Sequence, residues 1–232
     1  MSNLIGLAGL SNSGKSTSLK YLNSKETFII SCTNKQLQIP GFRKKYTKIK
    51  IDEGKLLGNW MVSNSYDAIQ KIMKIVSANR PDIKVLVIDD ANYLLSAATF
   101  KDALTKGYEK FTIQAKNYYD LIEGALELRD DLTVIFISHI ENFGTDLDPQ
   151  WRLYTTGKML TNAVNLDGLF SYLLYAERYV PDGDDEVKYH IKTRTDGNDT
   201  CRSIAGCFTD KYIEPNMKLI VDRINEFENE SK

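Results

Sequence analysis

The chain has 232 residues, with 30 Lys and Arg against 31 Asp and Glu, so its formal net charge is -1. This balance excludes an overall field that attracts nucleic acid or a membrane surface, although local basic surfaces are still possible. Three scattered cysteines give neither a disulfide framework nor a zinc-ligand spacing. The length suits one domain over residues 1–232. The sequence shows no signal peptide and no apolar run of membrane-spanning length, so we expect a cytoplasmic protein and no membrane partner.

The most specific motif lies near the N-terminus. Leu4–Ala8 is an apolar run that predicts a strand, and Thr17–Leu22 is compatible with a helix. The sequence between them, GLSNSGKST, satisfies the P-loop pattern G-x-x-x-x-G-K-[ST] in its strand–loop–helix context. The predicted phosphate-binding residues are Gly9, Leu10, Ser11, Asn12, Ser13, Gly14, Lys15, Ser16 and Thr17. Lys15 would reach the β- and γ-phosphates, Ser16 would ligate Mg²⁺, and the helix starting near Lys15 would add its positive dipole end.

A basic cluster follows the second predicted strand, Thr27–Ser31. Within residues 41–62 it comprises Arg43, Lys44, Lys45, Lys48 and Lys50. One interpretation is a contact with a nucleic-acid phosphate backbone. The other is a solvated strand face, which is favoured because Asp52 and Glu53 follow directly.

The remaining elements alternate between strands and helices. Ser65 is a predicted N-cap for a helix ending near Asn79, whose apolar residues fall on one face. Further predicted strands are Val85–Ile88 and Thr133–Ile137, and predicted helices are Phe111–Arg129 and Asn216–Phe227. Leu169–Ala176 and Val187–Thr193 flank a turn at residues 181–184 and predict a hairpin. This order predicts an α/β fold, a mostly parallel central sheet flanked by helices with a C-terminal β-hairpin addition.

Two carboxylates, Asp89 and Asp90, follow the apolar run Val85–Ile88. If that strand lies beside the P-loop strand, Asp89 emerges at the carboxyl edge of the sheet, where ligands bind in open α/β folds. Asp89 would then hold the Mg²⁺ shell, and Asp90 would orient or deprotonate the attacking water. The alternative for Asp90 is a cap for the helix that follows.

Polar and charged residues further along could contact the γ-phosphate. Ser138 and His139 end the strand Thr133–Ile137, and either could sense the phosphate or be a strand-end residue without ligand contact. The basic residues Lys158, Lys192 and Arg194 could stabilise transition-state charge, from the same subunit or a neighbouring one, or could be solvated.

The order P-loop, VLVIDD, VIFISH resembles that of the RecA-like ATPases. More closely, the chain is similar to small ATP-binding proteins of bacteriophages, among them phage single-strand-annealing recombination ATPases. The similar stretches are VIDDANYL (87–94), KGYEKFTIQAKNYYDLI (106–122), FISHIE (136–141), TTGKML (155–160) and KTRTDGNDTCRSIAGCF (192–208). The resemblance implies a RecA-like core, ATP with Mg²⁺ as cofactors, and a role in phage DNA recombination or replication. Single-stranded DNA, a homo-oligomer and phage replication or recombination proteins are the partners it implies.

Two positions depart from the RecA-like pattern. A catalytic glutamate usually follows the second strand, but residues 31–35 read SCTNK and contain no acid. Either Asp90 takes that role or hydrolysis is slow. The γ-phosphate sensor is usually a glutamine, and His139 stands near its place. Two other functions therefore stay open: a nucleotide-binding loader with little intrinsic hydrolysis, and a nucleotide kinase, which is disfavoured because no compact Arg-rich lid is present.

Overall fold

The computed structural model describes residues 1–104, 107, 109–155 and 165–230. The strands are β1 Asn3–Ala8, β2 Thr27–Ser31, β3 Lys50–Asp52, β4 Lys55–Leu57, β5 Trp60–Val62, β6 Val85–Asp89, β7 Thr133–Ser138, β8 Ile140–Asn142, β9 Trp151–Leu153, β10 Tyr172–Tyr179, β11 Lys188–Lys192 and β12 Tyr212–Ile213. The helices are α1 Lys15–Ser18, α2 Phe42–Lys45, α3 Tyr66–Asn79, α4 Tyr93–Lys101, α5 Glu109–Leu126 and α6 Met217–Glu230. Short 3₁₀ turns occupy Leu19–Tyr21 and Leu166–Leu169.

Within the described residues, eight strands form the central sheet in the order β12-β11-β10-β1-β7-β6-β2-β5. The six strands from β10 to β5 run parallel. Beyond β10, strand β11 is antiparallel to β10, and β12 is antiparallel to β11. Two short hairpins, β3–β4 and β8–β9, stand apart from this sheet. The predicted class is confirmed: a mostly parallel α/β sheet flanked by helices, with a C-terminal hairpin, an arrangement consistent with a RecA-like fold.

Strand β7 separates the P-loop strand from the strand that carries Asp89. In register, Ile5 of β1 pairs with Ile135 of β7, and Ile135 pairs on its other side with Val87 of β6. The premise that the two motif-bearing strands are neighbours is therefore wrong. The carboxyl ends of β1, β7 and β6 nevertheless lie at the same edge of the sheet, because all three strands are parallel. Each of the three is buried along nearly its whole length, which explains their near-continuous apolar sequences.

Helices cover both faces of the sheet. On one face, a buried cluster joins alternate strand residues to α3, α4 and α5, with Ile69, Leu94 and Leu121 among its members. On the other, a second cluster joins the sheet to α2, α6 and the turn after the P-loop, through residues such as Phe42 and Ile220. No helix in the described ranges is long and apolar enough to cross a bilayer.

The helix after the P-loop ends earlier than the sequence predicted. Helix α1 ends at Ser18, and one 3₁₀ turn completes it. The chain turns at Leu22, which is extended, and the Asn23 side chain then accepts a hydrogen bond from Lys25 N–H. A helix of this length has a small dipole, so the predicted phosphate site would depend mainly on the N–H groups of the loop itself.

The basic cluster does not form the single strand face that its favoured interpretation required. Arg43, Lys44 and Lys45 lie on helix α2, which begins at Gly41 in the left-handed conformation, while Lys50 lies on β3. The buried rings of Phe42 and Tyr46 flank the three cations of α2 and fix the helix to the sheet. All five side chains are exposed, and they are spread over a helix, the segment that follows it and a hairpin.

Ser65→Ala should lower the free energy of unfolding by about 1 kcal/mol, because Ser65 is the N-cap of α3 and its hydroxyl accepts a hydrogen bond from Ala68 N–H at 3.4 Å. Denaturant unfolding measures the change. Ser65→Asp keeps a capping oxygen at this exposed position and should restore most of the loss. Equal free energies of unfolding for the Ser65→Ala and Ser65→Asp proteins would show that the cap contributes nothing.

Candidate nucleotide site

The P-loop follows β1 and curls back on itself. A Cβ at Gly9 would lie 2.4 Å from the carbonyl oxygen of Ala176 and 2.6 Å from Ser13 Oγ, so only glycine fits there. Gly14 precedes α1 with φ at 87°, a left-handed conformation that glycine adopts without strain. The first backbone bond of the helix runs from Ser18 N–H to Gly14 O. The N–H groups before it have no intrahelical acceptor, as at any helix start, and suit an anion.

The Lys15 side chain is folded into the loop. Its Nζ donates to the carbonyl oxygens of Gly9 at 2.8 Å and Leu10 at 2.7 Å. Burial lowers the pKa of this amine to about 8, while Asp90 and Asp89 act in the opposite direction. We expect a bound phosphate to take the ammonium group from these two carbonyls. Binding a phosphate therefore replaces neutral acceptors with charged ones, which form stronger bonds with an ammonium.

A direct hydrogen bond joins the P-loop to the acidic strand end. Ser16 Oγ donates to Asp89 Oδ1 at 3.0 Å. These residues lie on opposite sides of β7, and the hydroxyl and carboxylate bridge that strand at the carboxyl edge of the sheet. The structure thus brings together the two residues that the sequence predicts as ligands of one metal ion.

The surroundings of Asp89 disfavour its ionised form. The carboxyl group is buried, and its pKa is raised to about 7 by that burial and by the neighbouring Asp90, against the lowering effect of Ser16. A divalent cation beside Asp89 would favour the ionised form and reverse this shift. Oxygen ligands from one hydroxyl and one carboxylate, completed by water and substrate phosphate, suit Mg²⁺. The residues present therefore fit this ion.

Asp90 has an unusual backbone and three polar neighbours. Its φ is 58°, in the left-handed region that is uncommon for residues other than glycine. Thr33 Oγ1 donates to Asp90 Oδ2 at 3.2 Å, Lys35 Nζ lies 3.8 Å from the same oxygen, and His139 Nε2 lies 3.9 Å from Oδ1. Strain of this kind at a strand end is typical of functional sites. The alternative, a capping role for Asp90, finds no support, because the residue before α4 is Asn92.

The two candidate sensors on β7 differ in position. Ser138 is buried and hydrogen-bonded to Tyr118, on the helical layer behind the site. His139 lines the cavity at the loop. Burial and then Lys15 lower its pKa, partly offset by Asp90 and by a hydrogen bond to the Gly9 backbone, so the neutral ring is favoured at pH 7. A neutral imidazole can offer one donor and one acceptor to a phosphate or water.

The remaining predicted cations are placed elsewhere. Lys192 is buried and pairs with Asp199, with Asp196 at 2.8 Å and with Glu177 at 3.8 Å. Burial alone would lower the Lys192 pKa, but the bonds to the two aspartates outweigh it and raise the value. Arg194 Nη1 donates to Thr209 O at 3.1 Å. Neither is among the described residues that line the cavity, and Lys158 lies outside the described residues. Their catalytic role stays a prediction.

Several residues that the sequence did not single out border the site. Besides Thr33 and Lys35, these are Gln38 and Tyr93, which line the cavity, and Tyr189, whose ring lies 3.1 Å from the point where a Cβ on Gly14 would be. A signal existed for Thr33 and Lys35, because both follow the end of a buried strand parallel to β6. No comparable pattern marks Gln38 or Tyr189.

Comparisons with protein-family models and with curated proteins give no match. Among solved structures, the chain is similar to the genome packaging NTPase B204 from Sulfolobus turreted icosahedral virus 2, in complex with ATP-gammaS. That likeness has a TM-score of 0.39 and 14% sequence identity, and covers 78% of this chain and 77% of that one. The chemistry assigned to the site rests instead on its own residues and their geometry.

Proposed function

We propose that this chain is a Mg²⁺-dependent ATP-binding protein and ATPase of the RecA-like class. It acts in phage DNA recombination or replication, and ATP switches its assembly into an oligomer. The P-loop, the acidic strand end and His139 meet at one edge of a parallel sheet, which supports nucleotide binding there. The phage process and the DNA partner are supported by the sequence resemblance alone.

One observation carries the proposal: the hydrogen bond from Ser16 Oγ to Asp89 Oδ1 at 3.0 Å. A P-loop sequence alone indicates phosphate binding. A hydroxyl of that loop in contact with a buried carboxylate from a distant strand is the pair of ligands that a Mg²⁺-nucleotide site requires. The two residues are 73 positions apart in sequence, so local structure does not account for the contact.

Each residue then has a distinct task. Lys15 leaves the loop carbonyls and binds the β- and γ-phosphate oxygens, and the loop N–H groups hold the phosphates in line. Ser16 and Asp89 would hold a Mg²⁺ ion, which would supply positive charge beside the phosphates. Asp90 orients a water and accepts its proton, while Thr33 and Lys35 keep that carboxylate in place. His139 offers a hydrogen bond to the γ-phosphate or the water.

A second function, a nucleotide-binding loader with little intrinsic hydrolysis, is favoured by one specific observation. Asp90 is already engaged by Thr33 and Lys35, and residues 31–35 supply no second acid. If those contacts persist when nucleotide binds, the carboxylate is a poor base. Such a protein would change partners on ATP binding and would hydrolyse ATP only when another protein is bound.

ATP hydrolysis measured with and without single-stranded DNA tests the proposal, with the molecular mass determined in each nucleotide state. We expect turnover to rise about tenfold or more with DNA, within the usual range of coupling between two sites. The mass should increase with ATP and fall after hydrolysis. ATP binding without turnover, over a range of DNA lengths at low salt, would favour the loader. Absence of ATP binding would overturn both functions.

A further inference from the structure

A surface outside the nucleotide site carries a concentrated positive charge. We call it the basic surface; it consists of the exposed side chains of Arg43, Lys44, Lys45, Lys48, Lys50 and Lys55. Over residues 41–58 these six cations face two carboxylates, Asp52 and Glu53, which leaves a net charge of +4. The whole chain has a net charge of -1, so this surface differs sharply from the average of the molecule.

The fold presents three of these cations on helix α2. Phe42 and Tyr46 at the two ends of the helix are buried, and their rings stack at a centroid distance of 5.0 Å. Phe42 also meets the ring of Trp60 edge-on at 5.1 Å. These contacts fix the helix against the edge strand β5, so Arg43, Lys44 and Lys45 can only face solvent.

The hairpin β3–β4 adds two more cations on one face. Lys50 pairs with Leu57, and Asp52 pairs with Lys55. Side chains alternate along a strand, so Lys50 and Lys55 share the face opposite the buried Leu56. The base of the hairpin is held firmly, because Arg80 donates to the carbonyl oxygens of Leu56 and Gly58 at 3.2 and 2.8 Å.

These cations are largely without partners inside the protein. Within the described residues, Lys50 forms an ion pair with Asp52 at 3.4 Å, and the other five side chains form none. Cations elsewhere, such as Arg80 and Lys84, pair with carboxylates at 2.7 and 2.6 Å. Like charges that repel one another and lack partners are neutralised best by a polyanion, and a nucleic-acid backbone offers phosphates at a regular spacing.

An exposed apolar side chain beside the cations favours a single strand over a duplex. Leu57 pairs with Lys50 on the face that also carries Lys55, and it is 39% exposed. A duplex offers such a surface only phosphate and sugar. The unpaired bases of a single strand can turn their apolar faces toward it.

One loop connects the basic surface to the nucleotide site. Residues 32–41 carry Thr33 and Lys35, which contact Asp90, and Gln38, which lines the cavity. The loop then enters α2, where Phe42 N–H donates to Ile39 O at 3.1 Å. A ligand bound at α2 is therefore connected through this short loop to the groups that hold Asp90.

We propose that the basic surface binds the phosphate backbone of single-stranded DNA and that the loop at residues 32–41 links this binding to ATP turnover. The inference rests on the proposed function, since it names the surface through which the DNA partner acts. It predicts that DNA binding here is strongly salt-dependent and that loss of the surface removes stimulation by DNA while basal turnover is retained.

The test compares two triple charge reversals in the full chain. One is Lys44→Glu with Lys45→Glu and Lys48→Glu. The matched control reverses three exposed lysines on α3 and α4, Lys71, Lys74 and Lys101, with the same change in net charge. Fluorescence anisotropy of a labelled oligothymidylate measures affinity from low to moderate salt. Duplex DNA, single-stranded RNA and polyglutamate serve as competitors, and circular dichroism checks folding.

The basic-surface variant should bind at least about tenfold more weakly, and its log–log salt slope should be smaller by about 2, since three phosphate contacts contribute about 0.7 each. The control should match the wild type. Equal binding by both variants would overturn this inference and leave the proposed function standing. Absence of DNA binding by the wild-type protein in every nucleotide state would overturn both. Equal competition by polyglutamate or duplex would refute the single-strand assignment.

If the triple reversal does not fold, the milder Lys44→Gln and Lys45→Gln proteins replace it. Each should lower the salt slope by about 0.7, because each removes one phosphate contact. An unchanged slope in both would count against the basic surface as firmly as an unchanged triple variant.

Discussion

The Lys15→Ala protein is expected to bind ATP at least about 100-fold more weakly than the wild type, because two charge-assisted phosphate contacts are lost. Lys15 is the buried cation of the loop, and its ammonium lies between the carbonyls of Gly9 and Leu10. No other cation of the described residues lines the cavity except Lys35, which is engaged with Asp90. Calorimetric titration with ATP and Mg²⁺ measures the loss.

Two further variants make this result interpretable. Lys20→Ala removes an exposed lysine at the end of the same segment, whose ammonium lies 4.8 Å from the centre of the Tyr21 ring, and should bind ATP normally. Lys15→Met keeps most of the aliphatic stem and removes the charge, so it separates loss of the phosphate contact from loss of packing. ATP affinity within threefold of the wild type in Lys15→Met would refute the assigned role.

Asp90→Asn should keep ATP affinity and lower turnover by about 100-fold or more, since a general base usually contributes 100- to 10,000-fold. Asparagine is nearly isosteric with aspartate and tolerates the left-handed backbone that Asp90 adopts at φ 58°. The substitution therefore removes the proton acceptor without disturbing the strand end. Single-turnover hydrolysis measures the chemical step apart from product release.

Asp67→Asn is a suitable control, because Asp67 is an exposed aspartate in the first turn of α3, away from the site. Its turnover should equal that of the wild type. Full turnover by the Asp90→Asn protein would show that Asp90 is not the base. Loss of ATP binding in the same protein would instead assign Asp90 to the nucleotide or metal shell.

Local pattern predicted the elements well and their lateral arrangement poorly. Thr27–Ser31 and the Ser65-capped helix agree with the structure because apolar runs and capping residues act over a few positions. The position of β7 between β1 and β6 is set by long-range pairing, for which no local signal exists. Asp89 still reaches Ser16, because the edge on which parallel strands end does not depend on their order.

The candidate site shows the same difference between residues marked by a local pattern and residues placed by long-range contacts. Lys15, Ser16 and Asp89 were identifiable because a motif fixes their spacing or a buried strand delivers them. The sequence left two interpretations of Lys192, a cation near the γ-phosphate or a solvated charge, yet its acidic neighbours Asp196 and Asp199 follow within seven residues and pair with it. The two aspartates so close in sequence were the signal that indicated these ion pairs of Lys192.

The place of β1 within the sheet has a consequence for how the protein folds. Ile5 pairs with Ile135 on one side and with Tyr172 on the other, so the P-loop strand depends on partners from the distant part of the chain. Closing such long loops is slow and entropically costly. The phosphate-binding sequence is thus local, but we expect its working shape to form only when the sheet closes around β1. Nucleotide binding would then report that the central sheet has been completed.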